Sequence, residues 1–308
     1  MTIPVVIVGA TGYSGAELVE ILLGHAGARI AGLFGSSRRA ESVGGGTGGG
    51  GAATMADLFP RFRGRIEEPI KAAEIGEILA LRPRAVFLAT PHEASVELAA
   101  GLLGASAGAR PVVFDLSGAF RLRPASQYPR HYGFEHAHPE LLERAVYGLP
   151  EANRAALVGA DLVAVPGCYP TSAIIPLRAL ARAGAIDGSR RVIVDSVSGV
   201  SGAGRTAAVK SLFCEVSMQA YNVLKHRHNP EIDQYSGVAT VFTAHLGPYD
   251  RGILSTIHVE LGEGGREGWS EERVRGVLRE AYGREPFVRL LPRDAWPSVA
   301  GVRGTNFC

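Results

Sequence analysis

The feature that most constrains the fold is a glycine triplet, Gly9-Ala-Thr-Gly12-Tyr-Ser-Gly15, which closes a β-branched run at residues 3–8 and opens a helical pattern. The run suits a strand buried on both faces of a parallel sheet. After the loop, Ala16, Leu18, Ile21 and Leu22 share one helical face. With no Cβ in the turn, a pyrophosphate can approach the backbone and meet the N–H groups at a helix N-terminus. The spacing is GxxGxxG rather than the commoner GxGxxG, with the same physical consequence. Residues 29–34 read as a second strand and complete a βαβ unit of the dinucleotide-binding kind. Gly9, Thr11, Gly12, Tyr13, Ser14 and Gly15 are therefore candidate cofactor contacts.

The end of the second strand names the cofactor. A site for NAD places a carboxylate there for the ribose 2′-hydroxyl, whereas this chain has Gly35-Ser36-Ser37-Arg38-Arg39. Hydroxyl and guanidinium groups suit a 2′-phosphate, so NADP is expected, with Ser36 and Arg38 as contacts. Further strands at residues 85–89 and 112–115, with a helix at 94–103 between them, continue the alternation and predict a doubly wound parallel sheet of Rossmann type. Such sheets bind ligands at their strand ends. That adds Thr90 and Pro91, in Ala89-Thr-Pro-His92, and Ser117, in Asp115-Leu-Ser-Gly118. The run Gly44 to Gly51 reads as a surface loop and accounts for part of the glycine content, 40 of 308 residues.

Beyond Pro150 the pattern changes. Strands are expected at residues 162–165 and 191–196, and a helix at 171–182. In the stretch 253–261, Ile253, Ile257, Val259 and Leu261 face one way while Thr256, His258 and Glu260 face the other. Such alternation marks a half-buried strand of an antiparallel or mixed sheet. The chain thus divides into a dinucleotide-binding domain at 1–165 and a second, α+β domain at 166–308. With 32 basic and 30 acidic residues the net charge is +2, which lacks the concentrated basic balance of a nucleic-acid binder. No run of about 18 apolar residues occurs, and the N-terminus, Met-Thr-Ile-Pro-Val-Val, lacks a basic stretch ahead of its apolar run, so a cytoplasmic protein is expected with neither membrane nor nucleic acid as partner.

Three widely spaced cysteines, Cys168, Cys214 and Cys308, exclude a disulfide framework and a cysteine-based zinc site. None of the three lysines lies in a GxxxxGK loop, which excludes a Walker-type ATPase. Cys168 follows Pro-Gly at the expected start of a helix, where the dipole and unpaired N–H groups draw a thiol from about 8.5 toward ~7. A thiol mechanism needs an acid–base partner that works near neutrality, and His226-Arg-His228-Asn-Pro-Glu231 offers two imidazoles and a carboxylate. The His-x-His pair has no accompanying ligand cluster, so no metal is expected. Ser198 and Gly199, in a glycine- and serine-rich loop, offer donors to an anion or carbonyl oxygen.

These pieces resemble the N-acetyl-γ-glutamyl-phosphate reductases of arginine biosynthesis. Pro166-Gly-Cys-Tyr-Pro-Thr171 and His226-Arg-His228-Asn-Pro-Glu231 are the specific ones. The glycine loop, Tyr147-Gly-Leu-Pro-Glu151, Ser198-Gly-Val-Ser-Gly-Ala-Gly204 and Arg251-Gly-Ile-Leu254 fall in family order around them. The resemblance implies an NADPH-dependent enzyme of the semialdehyde dehydrogenase type, a homo-oligomer acting on a small acyl phosphate. Cys168 would attack the acyl phosphate and form a thioester. His226 would be the acid–base, with His228 as second choice, and Glu231 would orient it or shape the site. Ser198 and Gly199 would lie near the nicotinamide, and Tyr221 would position substrate. Two departures stand out. The family's Phe-x-Pro-His-Leu-x-Pro-Met-x-Arg-Gly stretch carries Ala244, Gly247 and Tyr249 here, and an Asp-Asn-Leu-x-Lys-Gly segment with a final helix is expected beyond Cys308. Two alternatives stay open: a reductase of a carrier-protein-linked aminoadipyl phosphate in lysine biosynthesis, and a truncated dinucleotide-binding protein without turnover.

Overall fold

A computed structural model describes residues 2–35, 53–105, 110–262 and 268–308. Ser36, Arg38 and the run Gly44 to Gly51 lie outside the described residues. The chain forms two compact units. One comprises 1–129, 133–148 and 155–165, and the other 130–132, 149–154 and 166–308.

The first unit is built on β1 (Ile3–Val8), β2 (Ala28–Gly35), β3 (Ile70–Ala72), β4 (Ala85–Leu88), β5 (Val112–Asp115), β6 (Val146–Tyr147) and β7 (Leu162–Ala164). They make one seven-stranded sheet in the order β3-β2-β1-β4-β5-β7-β6, and every pairing is parallel. Helix α1 (Tyr13–Leu23) connects β1 to β2, and α2 (His92–Gly104) connects β4 to β5. Val5 to Val8 are buried almost completely, as a central strand covered on both faces requires. Ala16, Val19 and Leu22 of α1 pack into one core with Val5, Ile7 and Leu33. Strand order reverses between β1 and β4. The loops that follow β1, β4 and β5 therefore leave the sheet at its carboxyl edge around a topological switch point.

The second unit holds α3 (Cys168–Arg182), β8 (Val192–Ser198), β9 (Gln219–Tyr221), α4 (His228–Ser236), β10 (Thr240–Leu246), β11 (Ile253–His258) and α5 (Glu271–Tyr282). Its sheet runs β11-β8-β10-β9 and is mixed: β8 and β10 are parallel, while β9 and β11 pair antiparallel. Tyr169, Ala173 and Leu177 recur every fourth residue on α3 and pack with Ile232 of α4 against Val192, Val194, Phe242 and Ala244. Each large side chain buried there stabilises the unit by roughly 1.5–3 kcal/mol.

Helix α3 begins three residues earlier than the expected 171–182. Pro170 sits in its first turn, where an N–H would have no intrahelical acceptor, so the ring costs nothing there. Strand β11 ends at His258, and Leu261 forms only an isolated bridge to Ile186.

Candidate active site

In the first unit the three glycines of the opening loop do different work. Gly9 has φ +92°, and a Cβ there would lie 2.3 Å from the Ala89 carbonyl oxygen. A Cβ on Gly15 would lie 2.3 Å from the Gly9 oxygen. Both glycines are thus required for packing within the protein. Gly12 is the N-cap of α1, and an added Cβ would meet only the Gly9 oxygen, at 3.6 Å, so this face of the loop is open. No side chain caps α1 and its first turn carries no acid. An uncapped, uncharged helix start with an open glycine at its mouth fits a pyrophosphate.

Thr11 is buried with its methyl toward Gly35, whereas Tyr13 is exposed and tilts against Phe59. Thr90 Oγ1 bonds Ser95 Oγ at 2.7 Å, and Pro91 is the N-cap of α2. Ser117 is turned inward: its hydroxyl and N–H both donate to the fully buried Asp115, at 2.9 and 3.0 Å. Burial raises the Asp115 pKa, against the pull of Ser117 and Arg121. Ser14 lies in the first turn of α1 beside Tyr13. Together these residues occupy the carboxyl edge around β1, β4 and β5.

In the second unit, Cys168 is exposed and is the first residue of α3. Its helix has no side-chain cap. The preceding Gly167 is held from two sides. Its carbonyl accepts from Thr171 N and Oγ1, at 3.0 and 2.9 Å, and its N–H donates to Glu231 Oε1 at 2.8 Å. Glu231 is fully buried in the first turn of α4. The Glu231 carboxyl group therefore fixes the peptide just before the thiol, through a buried hydrogen bond of about 0.5–1.5 kcal/mol.

His226 and His228 flank Arg227, the N-cap of α4. Both imidazoles are buried, and each meets the Tyr169 ring edge-on, at 5.6 and 5.9 Å. His226 also abuts Phe242 and Tyr221. Burial, with the neighbouring Arg227 charge, pushes the His226 pKa down to about 4. This corrects the expectation of an imidazole titrating near neutrality: the ring is neutral at pH 7. Its Nδ1 accepts the His228 N–H at 3.1 Å, so the neutral ring carries its proton on Nε2. Tyr169 donates to the His245 carbonyl at 3.0 Å, which leaves its oxygen to accept the Tyr221 hydroxyl, also at 3.0 Å. Burial raises the pKa of both phenols.

A cavity of about 410 Å³ brings Cys168, Tyr169, Ser198, Tyr221, His226 and His228 together. Gly199 does not line it. A Cβ there would sit 2.6 Å from Arg251 N, so this glycine serves close backbone packing. Asn229, inside the same motif, is structural: its amide bridges Asp233 and Thr240, and its oxygen accepts from Phe242 N. Also lining the cavity are Lys210 and Lys225, which the sequence pattern did not single out. The one available signal was their rarity. Of the departures from the family stretch, Ala244 is a core residue and Gly247 makes room for the Tyr249 ring, whose hydroxyl donates to Val197 O at 2.9 Å. Gly247 and Tyr249 fit one another, and none of the three lines the cavity. Among the described residues no cluster of ligating side chains suits a metal ion, and no helix is long and apolar enough to cross a membrane.

A parallel sheet of dinucleotide type followed by a unit built on a mixed sheet defines a class, the semialdehyde dehydrogenases. Residues 4–160 match the NAD binding domain of semialdehyde dehydrogenases and residues 168–308 their dimerisation domain. The chain belongs to the N-acetyl-gamma-glutamyl-phosphate reductase family within the semialdehyde dehydrogenases, and is an oxidoreductase that uses a nicotinamide dinucleotide. It is 42% identical to the reductase of that name from Salmonella typhi over 98% of this chain and 85% of the relative. The Escherichia coli (strain K12) reductase gives the same identity and coverage. In fold it is similar to aspartate semialdehyde dehydrogenase II from Vibrio cholerae, with a TM-score of 0.64, 17% identity, and 99% and 85% of the two chains covered. The Candida albicans enzyme with NADP gives a TM-score of 0.65 at 14% identity, covering 97% and 85%.

Proposed function

We propose that this chain reduces N-acetyl-glutamyl 5-phosphate to N-acetyl-glutamate 5-semialdehyde and inorganic phosphate, with NADPH as reductant, in the cytoplasm. Residues 1–165 would carry the dinucleotide and 166–308 the catalytic and oligomerisation functions. The observation that carries the reading is Cys168 at the bare start of α3, on a peptide fixed by buried Glu231, in one cavity with His226. A nucleophilic thiol so placed serves acyl transfer, whereas oxidation of an ordinary alcohol needs none.

Cys168 attacks the acyl carbon as thiolate. The C–O bond to phosphate breaks and a thioester remains on Sγ. A nicotinamide dinucleotide, when bound, would supply the hydride that reduces the thioester carbon. As the C–S bond then breaks, the thiolate is regenerated and the aldehyde leaves. Neutral His226 presents its Nε2 proton to the carbonyl oxygen as that oxygen gains negative charge in each tetrahedral species. This places its main contribution in hydrogen-bond donation rather than in full proton transfer. Glu231 acts through the Gly167 peptide, as a positioning residue. Gly12 and the N–H groups of α1 would hold the pyrophosphate, and Ser36 and Arg38 are the contacts expected from the sequence for the 2′-phosphate. The carrier-linked alternative draws on the stretch around Ala244, Gly247 and Tyr249, none of which lines the Cys168 cavity.

The test is the reverse reaction: semialdehyde, phosphate and NADP, following phosphate-dependent NADPH formation beside Cys168→Ser. Turnover that vanishes in the variant supports the reading. Turnover with a carrier-linked substrate alone, or turnover that survives the variant, overturns it.

A further inference from the structure

Of the 32 basic residues in this chain only Lys71, Lys210 and Lys225 are lysines. Two of those three line the Cys168 cavity, although they come from separate stretches of an irregular segment. Lys210 follows β8 in a short helical turn, and Lys225 directly precedes His226. Arg227 and His131 add to the same lining, and it contains no aspartate or glutamate. Among the described residues neither Lys210 nor Lys225 has a carboxylate in ion-pair range. The Lys210 ammonium instead lies 5.8 Å from the Tyr221 ring centroid. That ring is hydrogen-bonded to Tyr169, the residue after the thiol.

A cavity that gathers cations and excludes carboxylates holds a positive potential, which draws in and orients anions. An arginine would present a planar fork, but an ammonium is a compact charge on a flexible stem that can follow a group whose charge and geometry change. An acyl phosphate is such a case. When the C–O bond to the acyl carbon breaks, the departing phosphate takes the bonding electrons and its oxygens carry more negative charge than they did in the bound acyl phosphate.

We propose that Lys210 and Lys225 form the anion subsite of the Cys168 cavity and are specificity-determining residues, selecting acyl compounds that carry anionic groups over neutral ones. The identity of that anion rests on the reaction proposed above. The cationic character of the subsite does not.

The first experiment needs no substrate. Cys168 is alkylated by iodoacetate, an anion, and by iodoacetamide, its neutral counterpart, with modification at Cys168 read by peptide mass spectrometry so that Cys214 and Cys308 do not contribute. The ratio of the two rate constants reports the field at the thiol. The iodoacetamide rate alone reports the thiol's intrinsic reactivity. Lys210→Met and Lys225→Met should each lower the ratio by roughly three- to tenfold at low salt, with the double variant lower still and Lys225→Arg close to the parent. A ratio unchanged within twofold in the double variant overturns the proposal. In the reverse assay the double variant should raise KM for phosphate or for semialdehyde by tenfold or more. Whichever KM moves shows which anion the lysines hold, and KM values that both stay put also overturn it. If the parent has no turnover with any substrate, the proposed reaction fails while the alkylation ratio still decides the subsite.

Discussion

At the scale of single residues the site is a set of unequal partners. Cys168→Ser should abolish turnover by ~10³-fold or more, because the hydroxyl is not ionised near neutral pH. His226 gives a sharper test. If it donates a hydrogen bond through Nε2, His226→Gln, whose amide N–H occupies a similar place, should lose about 10- to 100-fold while His226→Ala loses about 10²- to 10⁴-fold. Equal losses would favour full proton transfer. The same ring links pH to stability. Its folded pKa of about 4 lies below the unfolded value, so between about 4 and ~6.5 the unfolded chain binds a proton that the folded chain does not. Stability is therefore fully present above about pH 6.5 and is lost as the pH falls toward about 4, by on the order of 1–3 kcal/mol. Denaturant titrations at pH 4.5 and 7 should show this difference, and His226→Gln should shrink it. The motif was legible in the sequence but this property was not, since burial comes from Tyr169 and Phe242, residues distant along the chain.

At the scale of elements, the alternation of β-branched runs with helical patterns identified β1, β2, β4 and β5 within a residue or two, because parallel strands buried on both faces must be apolar throughout. Cys168 at a helix start agrees with α3, while the bound at 171 falls three residues late because Tyr-Pro after a cysteine reads as a turn, whereas proline in a first helical turn is compatible with the helix. The glycine loop was legible as a motif, but its division of labour required the fold. That division is testable. Gly9→Ala and Gly15→Ala would each drive a Cβ to 2.3 Å from a backbone oxygen and should destabilise the first unit by roughly 1–3 kcal/mol or more, visible as a lower melting temperature. Gly12→Ala meets no such obstacle. It should leave melting nearly unchanged and weaken NADPH binding, measured by fluorescence titration. A Gly12→Ala protein that melts early and binds normally would reverse the assignment.

At the scale of the whole molecule, the second unit exposes several large apolar side chains within one segment. Phe213 is 94% exposed, Leu224 75% and Val209 68%, with Leu212 and Met218 also open, all within the segment that bears Lys210 and Lys225. Apolar residues concentrated in one segment usually mark an interaction surface. The match of residues 168–308 to a dimerisation domain makes a second copy of this chain the partner to expect. If the segment is covered by that copy, removing two large apolar contacts should cost on the order of 2–4 kcal/mol of association, a shift of roughly 30- to 1,000-fold in the dissociation constant. Phe213→Glu with Leu224→Glu should therefore move the sedimentation-equilibrium mass toward one chain at micromolar concentration, while the melting of the separated chain stays close to the parent's because neither side chain is in the core. An unchanged mass would mean that oligomers form through another face. If activity fell with the mass and returned at higher protein concentration, the lysine-bearing segment would have to be ordered by the neighbouring copy, and association would then tune the anion subsite as well as the assembly.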